Sequence, residues 1–352
     1  VKKAWTIWIS TVVAFAALGC SGGAPAEGPK SAEGGQAKKG SELTVGVVFD
    51  SGGRGDKSFN DSAYAGIERA KREFGIQEKT VESKSAKDFE SNLTAMAEQG
   101  CQLVFAVGLM QKQALEVVAP KFPDVKFALV DAVVDAPNVR SLLFKEEEGS
   151  FLAGYLAGLT TKTGKIGFVG GMEIPLIKKF QAGYEAGAKM ANPSVEVLPA
   201  KYTGNWDDAG LGKAAANVLI GQGADIVYHA AGRAGLGVID AAKEKNVFAI
   251  GVDSDQDDVA PGTVLTSMIK RVDEAVFSTI RDLLEGKFSA GQVVYDLKAN
   301  GVGLSEMRHT KDKLPAGALD KVLAVAEKVK SGELVVPSKM EDVAAFLAKA
   351  PK

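Results

Sequence analysis

Four residues in the stretch Val45 to Asn60, VGVVFDSGGRGDKSFN, have types and spacing suited to gripping a small molecule: Asp50, Ser58, Phe59 and Asn60. A carboxylate accepts hydrogen bonds, an amide both donates and accepts, and an aromatic ring offers a flat apolar face. The chemistry on offer is recognition rather than bond breaking. Asp50 closes an apolar run that reads as a strand buried on both faces, and Asn60 opens a pattern in which Ala63, Ile67, Ala70 and Phe74 recur at helical spacing. A strand that feeds a helix through a loop puts that loop at the carboxyl edge of a sheet, where open α/β folds bind ligands. Other strand-like runs end in the same manner, at Gly108, Asp131, Gly170-Gly171, the Gly232 segment and Asp253. Ionised aspartates accept but cannot donate, so this set favours a ligand rich in donors. Trp206 stands in a polar loop of Thr203, Gly204, Asn205, Asp207 and Asp208, where so large a ring has no obvious core to enter, and it too reads as facing a ligand.

Competing chemistries fit less well. Gly52 to Ser58 hints at a phosphate loop, but Asp56 occupies the position before Lys57 that such a loop gives to glycine. Gly232, Gly235 and Gly237 have the wrong spacing order for a dinucleotide fingerprint. Arg54-Gly55-Asp56 reads as a coincidental adhesion-like tripeptide. Two cysteines and two histidines, His229 and His309, make no metal cluster, so no metal or cofactor is expected. No nucleophile elbow marks a hydrolytic serine. Nucleotides are disfavoured because only Lys57, Arg233 and Lys270 are available for a phosphate.

The elements that must position these residues alternate regularly. Strand-like and helix-like runs trade places from Leu43 to Asp131, a βαβαβαβ unit that implies a parallel sheet, and a second unit runs from Glu147 to Val252. Helix 147–161 carries a small-residue face of Ala153, Gly154, Ala157 and Gly158. The remaining runs, 264–269, 272–284 and 293–297, suit a chain that crosses back between two lobes, with crossings expected near Phe144, Ile269 and Gln292. The expected lobes are therefore 42–144 plus 270–291 and 145–269 plus 292–352. A chain of 352 residues, 46% apolar and 24% charged with a formal net charge of −2, fits two domains of moderate size. No block of basic residues interleaved with aromatics offers a nucleic-acid groove.

Residues 1–20 have a basic start, an apolar run from Ala4 to Ala17 and small residues up to Gly19-Cys20, the pattern of a secretory signal too short for a stable membrane span. The Gly-Cys pair resembles a bacterial lipoprotein cleavage box, which makes Cys20 the expected lipidation site, although Ala17 stands where that pattern usually has Leu. Residues 21–41 hold Gly, Ala, Pro, Ser, Glu and Lys with no large hydrophobe and read as a tether. Cys101, ahead of an apolar strand, reads as a small buried side chain.

The segments DSGGRGDKSFNDSAYAG (Asp50 to Gly66), GKIGFVGGMEIPLIKKFQAGYEAGA (Gly164 to Ala188), YTGNWDDAGLGKAAA (Tyr202 to Ala216) and AIGVDSDQ (Ala249 to Gln256) resemble those of the basic membrane protein family, substrate-binding lipoproteins of ABC transporters, in its purine nucleoside receptor type. That resemblance covers nearly all of the chain after Ser41. It implies an α/β, type I periplasmic-binding-protein fold: two doubly wound parallel-sheet lobes joined by three hinge segments, with a nucleoside between them. It also implies a non-enzymatic monomer, exported and lipid-anchored, that takes inosine, guanosine or adenosine to an ABC permease and its ATPase. Phe59 then matches the family's stacking ring on the amino-terminal lobe, and Trp206 stands where members commonly have Phe on the other. Asn60 and Asp131 fit contacts to the base edge, Asp253 and Lys270 fit contacts to ribose hydroxyls, and Gly232 allows close backbone approach. Taken alone, Phe59 also suits a core position or a hydrophobic staple, Asn60 a helix cap, Asp253 a turn cap and Lys270 a hinge salt bridge. Two rival functions stay open: a receptor of the same fold for a sugar or signal molecule, and a nucleoside-processing enzyme such as a hydrolase.

Overall fold

The computed structural model describes residues 40–349. The expected leader with Cys20, and the tether up to residue 39, lie outside the described residues. The chain runs β1 (Thr44–Phe49), α1 (Phe59–Phe74), β2 (Gln77–Glu82), α2 (Phe89–Glu98), β3 (Leu103–Ala106), α3 (Lys112–Val118), β4 (Lys126–Val130) and β5 (Val139–Phe144). It continues with α4 (Glu146–Thr160), β6 (Lys165–Gly170), α5 (Pro175–Ala191), β7 (Glu196–Val197), β8 (Lys201–Tyr202), α6 (Ala209–Gly221), β9 (Ile226–Ala230), α7 (Ala234–Glu244) and β10 (Phe248–Asp253). The last part comprises β11 (Val264–Lys270), α8 (Val272–Leu284), β12 (Gly291–Tyr295), β13 (Val302–Leu304), α9 (Ala318–Lys330) and α10 (Val343–Lys349).

These strands build two sheets. One has the order β12-β5-β4-β3-β1-β2 and is parallel throughout; the other has the order β13-β11-β10-β9-β6-β7, with β8 also on β6 and only β13 antiparallel. The inner strands β1, β3, β4, β9 and β10 are buried along almost their whole length, as parallel strands covered by helices on both faces must be. This is the doubly wound, two-lobed architecture expected from the alternation. The small-residue face of α4 packs against α5: a Cβ on Gly154 would run into the Tyr184 carbonyl, and one on Gly183 into the carbonyl of Glu147. Only glycine lets the two helix backbones come so close.

The chain passes from the first sheet to the second after Phe144, returns after Lys270 through α8, which packs on α1, and leaves again after Tyr295. The third passage corrects the expectation of a crossing near Gln292. β12 pairs with β5 from Gly291↔Arg140 to Tyr295↔Phe144, so 292–295 belong with the first sheet and the chain crosses over 296–301. Between α5 and α6 the chain meets β6 in two short pieces, β7 and β8, on either side of Pro199. Proline has no N–H to give a ladder and is held to strand edges.

Candidate functional site

The carboxyl edges of the two sheets face one cavity, with about 630 Å³ of empty space when its open mouth is counted. Asp50 follows β1, Asp131 follows β4, Gly232 lies just past β9, Asp253 ends β10 and Lys270 ends β11. All five line the cavity together with Phe59, Asn60 and Trp206. Asp131 and Asp253 have φ of 73° and 64°, a left-handed backbone that non-glycine residues rarely adopt. Such strain tends to be kept where it aims a side chain at a ligand.

Ser58 is the exception among the expected contacts. Its side chain is fully buried and donates to Asp253 Oδ2 and to the Val252 carbonyl, so it bonds one lobe to the other rather than facing the cavity. Asn60 is inside α1 and is not its cap. Asp56 does the capping, its carboxylate accepting the backbone N–H groups of Ser58, Asn60 and Asp61 at 2.9, 2.8 and 3.1 Å. The Asn60 side-chain Nδ2 donates to Asp50 Oδ1 at 3.0 Å and to Asp56 Oδ2 at 3.1 Å. Its Oδ1 is left buried without a partner, so the amide presents an acceptor alone.

The two rings come from opposite lobes. Phe59, in the first turn of α1, lies with its ring centroid 5.1 Å from Lys270 Nζ. Trp206 is seated on Gly171, where any Cβ would collide with its Cε3 and Cζ3, and its carbonyl accepts the Ala234 N–H at 3.1 Å. Gly171, the residue after β6, is thus the floor under the tryptophan.

Lys270 is the electrostatic centre. It is 1% exposed and pairs with Asp131 Oδ2 at 2.7 Å and Glu146 Oε1 at 3.2 Å. Burial alone would pull its pKa down, but Asp131, Glu146 and Asp253 more than reverse this and hold the amine charged. Lys270 thus makes the salt bridge and also lines the cavity. Burial pushes Asp253 up to about 7 against the opposing pull of Lys270, and desolvation lifts Asp50 to about 6 against its bonds from Asn60 and Gly52. Asp131 Oδ1, like Asn60 Oδ1, is buried with no partner. The cavity wall thus offers acceptors and awaits donors.

Sequence reasoning did not single out the apolar wall from α5, made by Leu176, Ile177 and Phe180, nor Met110, and it weighed Arg233 only as a partner for a phosphate. The α5 residues fall at ordinary core spacing, which no local pattern separates from a cavity lining. For Arg233 the available signal was a charged residue directly after the strand-end glycine.

Residues 43–340 match the family described as ABC transporter substrate-binding protein PnrA-like. The chain is 35% identical over 353 residues to the ABC transporter nucleoside-binding protein BmpA of Lactococcus lactis subsp. cremoris, covering 93% of this chain and 99% of that one. It is 35% identical over 323 residues to basic membrane protein A of Borreliella burgdorferi, covering 89% and 93%. Among solved structures, an ABC transporter solute-binding protein from Aeropyrum pernix K1 superposes with a TM-score of 0.79 at 34% identity, covering 87% of this chain and 98% of that one. With fold, cavity and sequence in agreement, the chain belongs to the basic membrane protein family, the PnrA-like substrate-binding proteins of ABC transporters.

Proposed function

We propose that this chain is a lipid-anchored receptor that captures a purine nucleoside outside the membrane and delivers it to an ABC permease with its ATPase. Cys20 would carry the lipid, residues 21–41 would tether the body, and the monomer would alternate between open and closed arrangements of its lobes. The observation that carries the reading is that Phe59 and Trp206, one ring from each lobe, both line a cavity whose unpaired atoms are acceptors. Stacking a base on an aromatic contributes about 1–3 kcal/mol, and ribose supplies three hydroxyl donors. A ligand that touches both lobes shifts their equilibrium toward closure.

The base edge follows from Asn60. Its Nδ2 is held between two carboxylates, so rotating the amide would place oxygen against oxygen. Asn60 Oδ1 and Asp131 Oδ1, the two buried acceptors, suit a purine with two neighbouring donors, the N1–H and 2-amino group of guanine. Adenine would set its N1 lone pair against one of them. A buried acceptor left unmatched costs about 1–3 kcal/mol, roughly ten- to a hundredfold in affinity. Isothermal titration should therefore rank guanosine above inosine and inosine above adenosine, and Trp206→Ala should weaken guanosine binding roughly ten- to a hundredfold. Absence of heat with all three nucleosides would end the nucleoside reading, and release of free base on incubation would favour a hydrolase instead.

A further inference from the structure

We propose that Arg233 is a closure latch that positions Trp206: its guanidinium ties the tryptophan loop to the opposite lobe only when the cleft is shut. The inference rests on the reading that a ligand is clamped between the lobes. Arg233 sits at the start of α7 and lines the cavity. Its Nε and Nη2 donate to the Gly52 carbonyl at 3.3 and 3.2 Å, and Nη2 donates to the Arg54 carbonyl at 2.6 Å. Both acceptors lie in the β1–α1 loop of the other lobe. Within its own lobe the same Nε meets Asp207 Oδ1 at 3.2 Å, one residue from Trp206, and the next residue, Ala234, donates to the Trp206 carbonyl.

The acceptors are held ready. Arg54 is paired to Glu82 at 3.1 Å and lies over the Tyr64 ring at 4.7 Å, which fixes the loop from the far side. One planar, forked donor therefore serves two carbonyls and a carboxylate at once, a task for which a lysine point charge is unsuited. Opening the cleft removes both carbonyls and leaves only Asp207. Other bonds also join the lobes, from Ser58 to Val252 and Asp253, from Ser254 to the Ser58 carbonyl and from Gln256 to the Lys57 carbonyl, but none of these touches the Trp206 loop. Arg233 alone among these interlobe donors couples closing to the ring that would cover the base.

Trp5 and Trp8 lie in the first twenty residues, so in protein beginning at residue 21 Trp206 is the sole tryptophan and its emission reports this loop. The test compares that protein with Arg233→Ala and Arg233→Lys, using guanosine in stopped-flow fluorescence and small-angle X-ray scattering with and without ligand. Arg233→Ala should release guanosine at least tenfold faster with an association rate changed less than threefold, and its ligand-free scattering should indicate a larger radius of gyration. Arg233→Lys should fall between, and it carries the test if the alanine variant does not fold. Unchanged release and unchanged scattering would overturn the latch, as would a loss of affinity arising from association alone. If the unsubstituted protein gives no signal with any nucleoside, the nucleoside reading has failed; ligand-free scattering then decides the latch by itself, an unchanged radius in Arg233→Ala overturning it.

Discussion

Asp253 and Asp50 show how one cavity wall can make opposite demands on stability and on binding. Burial raises their carboxyls to about 7 and about 6 from an unfolded value of 3.8. Between those values the unfolded chain binds fewer protons than the folded one, so the contribution of these groups to folding is fully present below about pH 4 and is lost as pH rises through about 6 to 7. Ligand hydroxyls and N–H groups prefer the ionised form, so affinity should run the other way and fall as pH drops through about 7 and then about 6. Titration calorimetry at pH 8 and 5.5, beside melting curves of the empty protein, reads both trends, and a flat affinity would remove these carboxylates from ligand contact. Asp253 faces Lys270, Asp56, Asp131 and Ser58, and Asp50 faces Asn60, Asp56 and Asp131, so the two titrate within one shared field.

At the level of the element, the β1–α1 connection does three jobs with few residues. Asp56 satisfies the first-turn N–H groups of α1 in place of the usual cap residue and anchors the amide of Asn60. Asp56→Ala should lower stability by about 1–2 kcal/mol, the cost of a lost cap, and should free Asn60 to turn, blurring discrimination between guanosine and adenosine. A chemical denaturation curve and paired titrations measure the two effects. Much of this architecture was legible, because a polar residue after an apolar run marks a strand end wherever parallel strands are wrapped by helices. β5 was harder, since Arg140 and Ser141 interrupt its apolar run. Arg140 is nonetheless buried, paired with Asp282 at 2.7 Å and donating to the Ser289 carbonyl, partners more than a hundred residues away that no local pattern shows. The same limit explains β12: Gly291–Tyr295 reads as a strand, but which sheet it joins is decided by β5 rather than by itself. Ser58 went astray for a related reason, because the atom facing it came from the other lobe.

Over the whole molecule, Lys270 and Glu146 stand at two of the three passages between lobes and are bonded to each other, with Lys179 closing the group through Glu146 at 2.7 Å and the Phe144 carbonyl at 3.0 Å. The cavity and the hinge therefore share one buried charge network. Lys270→Met would strand the buried Asp131 without its cation and leave Glu146 to Lys179 alone, and should cost about 3–5 kcal/mol of folding stability, read by denaturant titration. The return of β12 to the first sheet has a further consequence, one that concerns time. A chain that emerges amino end first has supplied every other strand of that sheet by residue 144, yet the flank of β5 stays unsealed until residue 295 follows, after nearly all of the second sheet. For that interval the nascent protein carries a raw strand margin of mostly apolar residues, Val139 to Phe144, open to mispairing with another chain. Only the arrival of β12, in the last quarter of the chain, makes β5 safe.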